Sequence, residues 1–343
     1  MMPDTLVLTG YLLVLAVAGP RVLAGAGWAE RAPRLGIAAW QAMTASALAA
    51  AALAGLSLTL PTVHLGFDVS GLVHACLAAL RAQYRTPLGV VTGVGGALLA
   101  VAIAGRAAGC VLMTMMRARR LRRRHSEALM LLGTFDPKLG AIVVPSERAA
   151  VYCLPGRGHR VVVTSAARAA LNGEQLAAAL AHEQAHVRQR HDLVIAWATG
   201  LARAFPAVPL FRAAQIETAR LVEMLADDQA LRHHDRVALA EALVTLASPT
   251  SPAVGLAAAA SSVTARVHRL IDPRPALTKR RRTFAVAALL LLATVPILPI
   301  SDASHDIAAN CRPPTRHPTT QLVARPAAHP GGNPMPHVFY YPS

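Results

Sequence analysis

The stretch Ala181-His182-Glu183-Gln184-Ala185-His186 carries the pattern His-Glu-x-x-His. On a helix, residues four apart share a face, so His182 and His186 can reach one metal ion. Glu183 lies beside them and can take a proton from a water molecule that the metal acidifies. A catalytic site of this kind needs a third protein ligand and an open position. Glu223-Met224-Leu225-Ala226-Asp227-Asp228 offers one, because Glu223 and Asp227 are again four apart. Glu223 can supply the carboxylate ligand, and Asp227 can orient a ligand histidine through its ring N–H. Spacing alone also leaves Glu217, Asp228 and His191 open as alternatives. Two imidazoles and a carboxylate suit Zn2+, one per chain. The chemistry expected is peptide-bond hydrolysis, with Glu183 as the base that passes a proton to the leaving amine.

These residues need helices to hold them. Asn172 is a candidate N-cap, and Gln175 three residues on completes a capping-box pattern. The helix it opens is predicted to run through Trp197 until Pro206 breaks it. A second helix is expected over about Arg212 to His233 and a last one over about Arg236 to Ala247. A linker follows from Ser248 to Val254. Ala141 to Val144 and Arg160 to Thr164 are Val-rich and bounded by Pro and Gly, and are predicted as strands. The second strand just precedes the His-Glu-x-x-His helix, so it is a candidate to pair with an extended substrate by β-augmentation.

The rest of the chain is that of a membrane protein. Of 343 residues, 54% are hydrophobic and 15% charged, against about 25% charged in an ordinary soluble domain. A bilayer crossing needs about 20 apolar residues. Leu6 to Leu23, Ile37 to Leu60, Leu88 to about Gly105 (apolar onward to Met116) and Phe284 to Ile300 meet or approach that length. The net charge of +16 concentrates in Arg117, Arg119, Arg120, Arg122, Arg123, Arg124 and in Lys279 to Arg282, each beside an apolar block. With Arg21, Arg31 and Arg34, these clusters obey the positive-inside rule. Residues 1–116 thus form three spans, with an outer loop at 61–86 and the N-terminus outside. Residues 117–282 form a cytoplasmic domain, 283–300 a fourth span, and 301–343 an outer tail, rich in Pro and His, that is expected to be disordered. Arg106, near one end of the third span, is expected to snorkel to the interface. No zinc-finger or helix-turn-helix pattern accompanies the positive charge, so the lipid bilayer is its expected partner and direct nucleic-acid binding is disfavoured. Four cysteines exclude a disulfide-rich scaffold. Cys110 and Cys153 are expected to be free and buried. Cys76 and Cys311 both fall outside, and a disulfide between them would tie the tail to the outer loop.

The order of three spans, an internal His-Glu-x-x-His domain, a fourth span and an outer tail resembles the BlaR/MecR-type membrane metallopeptidases. The resemblance rests on AAVYCLPG at Ala149 to Gly156, RVVVTSAARAAL at Arg160 to Leu171, LAHEQAHVRQRHD at Leu180 to Asp192 and EMLADDQAL at Glu223 to Leu231. RVHRL at Arg266 to Leu270 adds little. It implies a mostly α, four-span membrane protein with a gluzincin-like α+β metallopeptidase domain facing the cytoplasm. It also implies His182, His186 and Glu223 as zinc ligands, Glu183 as base and Asp227 as support. The activity implied is regulated proteolysis of a protein substrate such as a transcriptional repressor. In the antibiotic-sensing members the fourth span leads into a large penicillin-binding domain. Ser301 to Ser343 are too few for one and contain no SxxK motif, so β-lactam sensing is not expected of them. HtpX-like quality-control peptidases share the motif and a downstream Glu. A non-enzymatic receptor or scaffold on the same fold is disfavoured, because a relic has no need of Glu183.

Overall fold

Charge-free runs rich in Ala and Leu favour helix, since neither residue loses much rotamer freedom there. The computed structural model describes residues 2–59, 85–154, 160–247, 256–273 and 275–297. Its first part consists of α1 (Met2–Ala24), the single turn α2 (Trp28–Arg31), α3 (Pro33–Ser57) and α4 (Pro87–Leu132). Within these, Thr5–Ala24, Pro33–Ser57 and Pro87–Arg124 are long and apolar enough to cross a membrane. α4 has 46 residues, about 69 Å at helical rise, so it extends well beyond a bilayer core.

The small sheet follows: β1 (Thr134–Asp136), β2 (Ala141–Val144), β3 (Val151–Leu154) and β4 (Arg160–Thr164). Its strand order is β1-β2-β4-β3, with β2 and β4 parallel and the other pairs antiparallel. The two strands predicted from sequence are both present. β4, however, is flanked on both sides, so its ladder is already filled. It cannot add a substrate strand, and the edge beside the helices is β3.

The helical part comprises α5 (Ser165–Ala170), α6 (Gly173–Arg188), α7 (His191–Ala204), α8 (Pro209–Ala230), α9 (Arg236–Ala247) and α10 (Leu256–Ile271). The capping box on α6 forms as expected: Asn172 Oδ1 accepts from Gln175 N, and Gln175 Oε1 accepts from Asn172 N. The expected continuous helix through Trp197 is instead two helices. Arg190 stands between them in the left-handed region at φ 51°, where no Gly or Pro signals a break. α8 begins at Pro209, whose fixed φ suits a first helical position, and ends at Ala230, so it starts and stops before the predicted limits. α10 was not anticipated at all.

Last comes α11 (Lys279–Thr294), followed by a 3-10 turn over Val295–Ile297. Its 16 residues span about 24 Å, short of the roughly 30 Å of a bilayer core. The fourth span expected over 283–300 runs past the described residues. α11 is nonetheless tied to the bundle, since Tyr11 Oη and Ser46 Oγ both donate to the Leu292 carbonyl, at 3.2 and 2.7 Å. The outer loop, all but its last two residues, the linker, Cys76, Cys311 and the tail lie outside the described residues.

The membrane-type helices and the site helices share cores. Leu15, Trp40 and Met43 from α1 and α3 bury against Leu221, Val222 and Leu225 of α8. Ala107 and Val111 of α4 bury against Leu201 of α7. Gly200 permits that second contact, because a Cβ there would fall 2.6 Å from Val111 Cα. Arg106 Nε donates to the Ala204 carbonyl at 2.6 Å. It caps an orphan carbonyl at the end of α7 in addition to any interfacial role. Beneath the sheet, Val161 and Val163 bury with Leu176 and Ala179 of α6 and Ala242 of α9, which fixes α6 against the sheet.

Candidate metal centre

α6 presents His182 and His186 one turn apart, and α8 packs alongside so that Glu223 faces both. His182 Nε2 lies 3.2 Å from His186 Nε2 and 3.4 Å from Glu223 Oε2. His186 Nε2 lies 3.5 Å from Glu223 Oε1. Ligands held tetrahedrally about 2.0–2.1 Å from zinc sit roughly 3.3–3.4 Å from one another. Donor types and spacing therefore both fit that ion. Among the described residues, these three are the His, Cys, Asp or Glu side chains grouped closely enough to hold a metal.

The alternatives left open by spacing point elsewhere. Glu217 accepts from Arg220 Nε and Nη2, at 3.0 and 2.8 Å. Asp228 accepts from Arg269 Nη2 at 2.7 Å. His191 touches His186 on the ring atom remote from Glu223, with the two Nδ1 atoms 3.1 Å apart. Asp227, the residue predicted to orient a histidine, has its Oδ1 2.9 Å from His182 Nδ1 and is 1% exposed.

One functional residue escaped the sequence reading. Arg266 of α10, 7% exposed, donates through Nε and Nη2 to the two oxygens of Asp227 at 2.9 and 2.6 Å. Its Nη1 donates to Glu223 Oε2 at 3.0 Å. It thus clamps Glu223 and the Asp227 carboxylate that touches His182. A signal existed in the sequence. Val263, Arg266 and Leu270 fall on one helical stripe, and an Arg on an apolar stripe must find buried anions.

The electrostatics follow from this packing. Burial pushes His182 towards neutrality, but hydrogen bonds to Asp227 and Glu223 outweigh it and carry the ring up to about 9. Burial also opposes ionisation of Glu223 and Asp227, yet His182 and Arg266 hold both carboxyls down at about 2. Without metal the cluster is therefore two cations against two anions, and the proton on His182 stands where a metal's charge would. Burial lowers His186 and His191, the latter to about 4, so both rings are neutral at pH 7. Burial raises Glu183, as suits a base that must take up a proton.

Glu183 Oε2 accepts from the backbone N–H of Cys153 on β3, at 3.3 Å. That bond ties Glu183 to the edge strand. Cys153 is a half-buried free thiol that burial and the Glu183 charge push up to about 12, so it is inert at neutral pH. In the β3–β4 register, Val162 faces Tyr152, and the Thr164 N–H reaches the Ala150 carbonyl. By alternation, Val151 and Cys153 turn their backbone groups to the open edge. A cleft of about 350 Å³ lies beside them, walled by His182, Glu183, Glu223 and Arg266 and by Leu239, Leu243 and Leu246.

Residues 115–207 match the profile of Peptidase family M48. The match covers the end of α4, the sheet, α6 and α7, and supports a peptidase of the metallo type. It stops short of Glu223, whose place in the site rests on the geometry. No curated protein and no solved structure matches the chain.

Proposed function

We propose that this chain is a membrane-embedded zinc metalloendopeptidase that cuts a cytoplasmic or membrane-proximal protein in regulated proteolysis of the BlaR/MecR kind. The observation that carries the reading is the triangle of His182, His186 and Glu223, with spacings of 3.2, 3.4 and 3.5 Å, beside a base that is hydrogen-bonded to an edge strand. Bound zinc would supply Lewis acidity towards the scissile carbonyl and acidify a water molecule. The protein's own groups do the rest. Val151 N–H and C=O and the Cys153 C=O are oriented to pair with an extended substrate. Glu183 takes a proton from water and returns it to the leaving nitrogen. Asp227 and Arg266 hold His182 and Glu223 in place, so no side-chain reorganisation is needed during the reaction. Leu239, Leu243 and Leu246 of α9 give the cleft one apolar wall.

In the same reading the N-terminus and the tail lie outside, α11 opens the fourth span and residues 117–282 face the cytoplasm, as the basic clusters require. The HtpX-like alternative uses the same site to degrade damaged membrane proteins.

The test is metal content and cleavage by the detergent-purified chain. We expect one zinc per chain in wild type, loss of zinc in Glu223→Ala, and retained zinc without cleavage in Glu183→Gln. Absence of zinc under metal-replete conditions would overturn the enzyme reading in favour of a receptor or scaffold. A single cut in one folded protein supports the signalling role; progressive degradation of unfolded membrane proteins supports quality control.

A further inference from the structure

His191 is 2% exposed, and no ligand role falls to it. Its Nδ1 lies 3.1 Å from His186 Nδ1, with ring planes 89° apart and centroids 4.8 Å apart. Its Nε2 is buried without a hydrogen-bond partner among the described residues. On an unbroken helix, residues five apart are turned about 140° from each other, so His191 could not meet His186. The contact exists because Arg190 adopts φ 51°. That conformation is unfavourable for a side chain with a Cβ, and strain of this kind gathers at functional sites.

We infer that His191 is the positioning residue for His186, accepting its Nδ1–H and so fixing the tautomer whose Nε2 lone pair faces His182 and Glu223. The inference rests on the zinc reading of that triangle. His186 Nε2 can bind a metal only as a lone pair, so its proton must sit on Nδ1. His191 Nδ1 must then be the acceptor, with its own proton on Nε2. That assignment leaves the Nε2–H of His191 as a buried donor with no partner among the described residues, a cost that the Nδ1 contact must offset. The two ligand histidines are thus held differently: His182 by an anionic carboxylate backed by Arg266, His186 by a neutral imidazole.

The test is zinc affinity of the full chain in detergent, by competition with a chromophoric chelator, with melting temperature as a fold check. His191→Leu keeps bulk and removes the acceptor. His191→Asn carries an oxygen on Cγ, where Nδ1 was, whereas His191→Gln carries it farther out. We expect His191→Leu and His191→Gln to bind zinc about 10–100-fold more weakly and His191→Asn to stay within about threefold of wild type. Cobalt-loaded His191→Leu should also lose the visible absorption of a tetrahedral site. If His191→Leu misfolds, the Asn and Gln pair decides. Equal affinities for Asn and Gln, or a His191→Leu as tight as wild type, would reduce His191 to a space-filler and overturn the inference while leaving the zinc reading intact. A wild type that binds no zinc overturns both.

Discussion

Arg266 forks onto Asp227 with N–H···O distances of 2.9 and 2.6 Å, across 39 residues of chain and with both residues buried. The pair joins α10 to α8 directly behind His182. A fork of this kind combines charge with planar geometry, which a lysine cannot reproduce.

Arg266→Met should therefore be strongly destabilising. It leaves the buried Asp227 carboxylate and the half-buried Glu223 carboxylate facing one protonated histidine. Breaking a buried pair on one side typically costs about 3–5 kcal/mol. Denaturant or thermal melts of the metal-free protein would read the loss. Arg266→Lys should fall between Met and wild type, because one ammonium cannot serve both Asp227 and Glu223.

Zinc binding should release a proton from His182 and strengthen with pH. The ring is held up to about 9, so at neutral pH the metal competes with a proton. His186 is already neutral there. Apparent affinity should rise roughly tenfold per pH unit between about pH 7 and 8.5 and level off above 9. Calorimetry in buffers of different ionisation enthalpy counts the protons released. A pH-independent affinity would contradict the His182–Asp227–Glu223 arrangement.

The metal-free protein should show the opposite trend in stability. His182 has a folded pKa above its ordinary 6.5. Its contribution is complete below that value and is lost as pH rises through about 9. Glu223 and Asp227 sit below their ordinary values, at about 2. Their contribution is present at neutral pH and is lost as pH falls towards 2. Melting temperature of the chelator-treated protein against pH should therefore decline on both flanks.

Val151→Pro should impair substrate binding more than stability. The Val151 N–H faces the open edge of the sheet, so proline removes no ladder bond there. One lost hydrogen bond of about 0.5–1.5 kcal/mol predicts a roughly 2–10-fold rise in KM for an extended peptide at near-constant kcat. Val162→Pro, on the interior strand β4, should abolish folding of the sheet.

Gly200→Leu should push α7 off α4, because even a Cβ there meets the Val111 backbone. Overpacking of this kind costs about 1–3 kcal/mol, read as a lower melting temperature in detergent. Since α7 begins at His191, activity should fall with it.

The sequence alone determined what depends on neighbours along the chain. Four-residue spacing put His182 beside His186 and Glu223 beside Asp227 on single helix faces, because the helical period does so wherever a helix forms. The Asn172–Gln175 cap, the charge-free apolar runs and the Val-rich strands were legible for the same local reason. Tertiary structure decided what depends on contacts far apart in the chain. It turned Glu223, and not Glu217 or Asp228, towards both His182 and His186, since the rotation of α8 on α3 sets which carboxylate faces α6. It placed β4 inside the sheet and β3 at the edge, an order that strand composition does not encode. It bent the chain at Arg190, where packing of α7 on α4 outweighs a residue's preference for negative φ. It also brought Arg266 to the carboxylates, because a buried cation finds its partners by the docking of helices and not by its position in sequence.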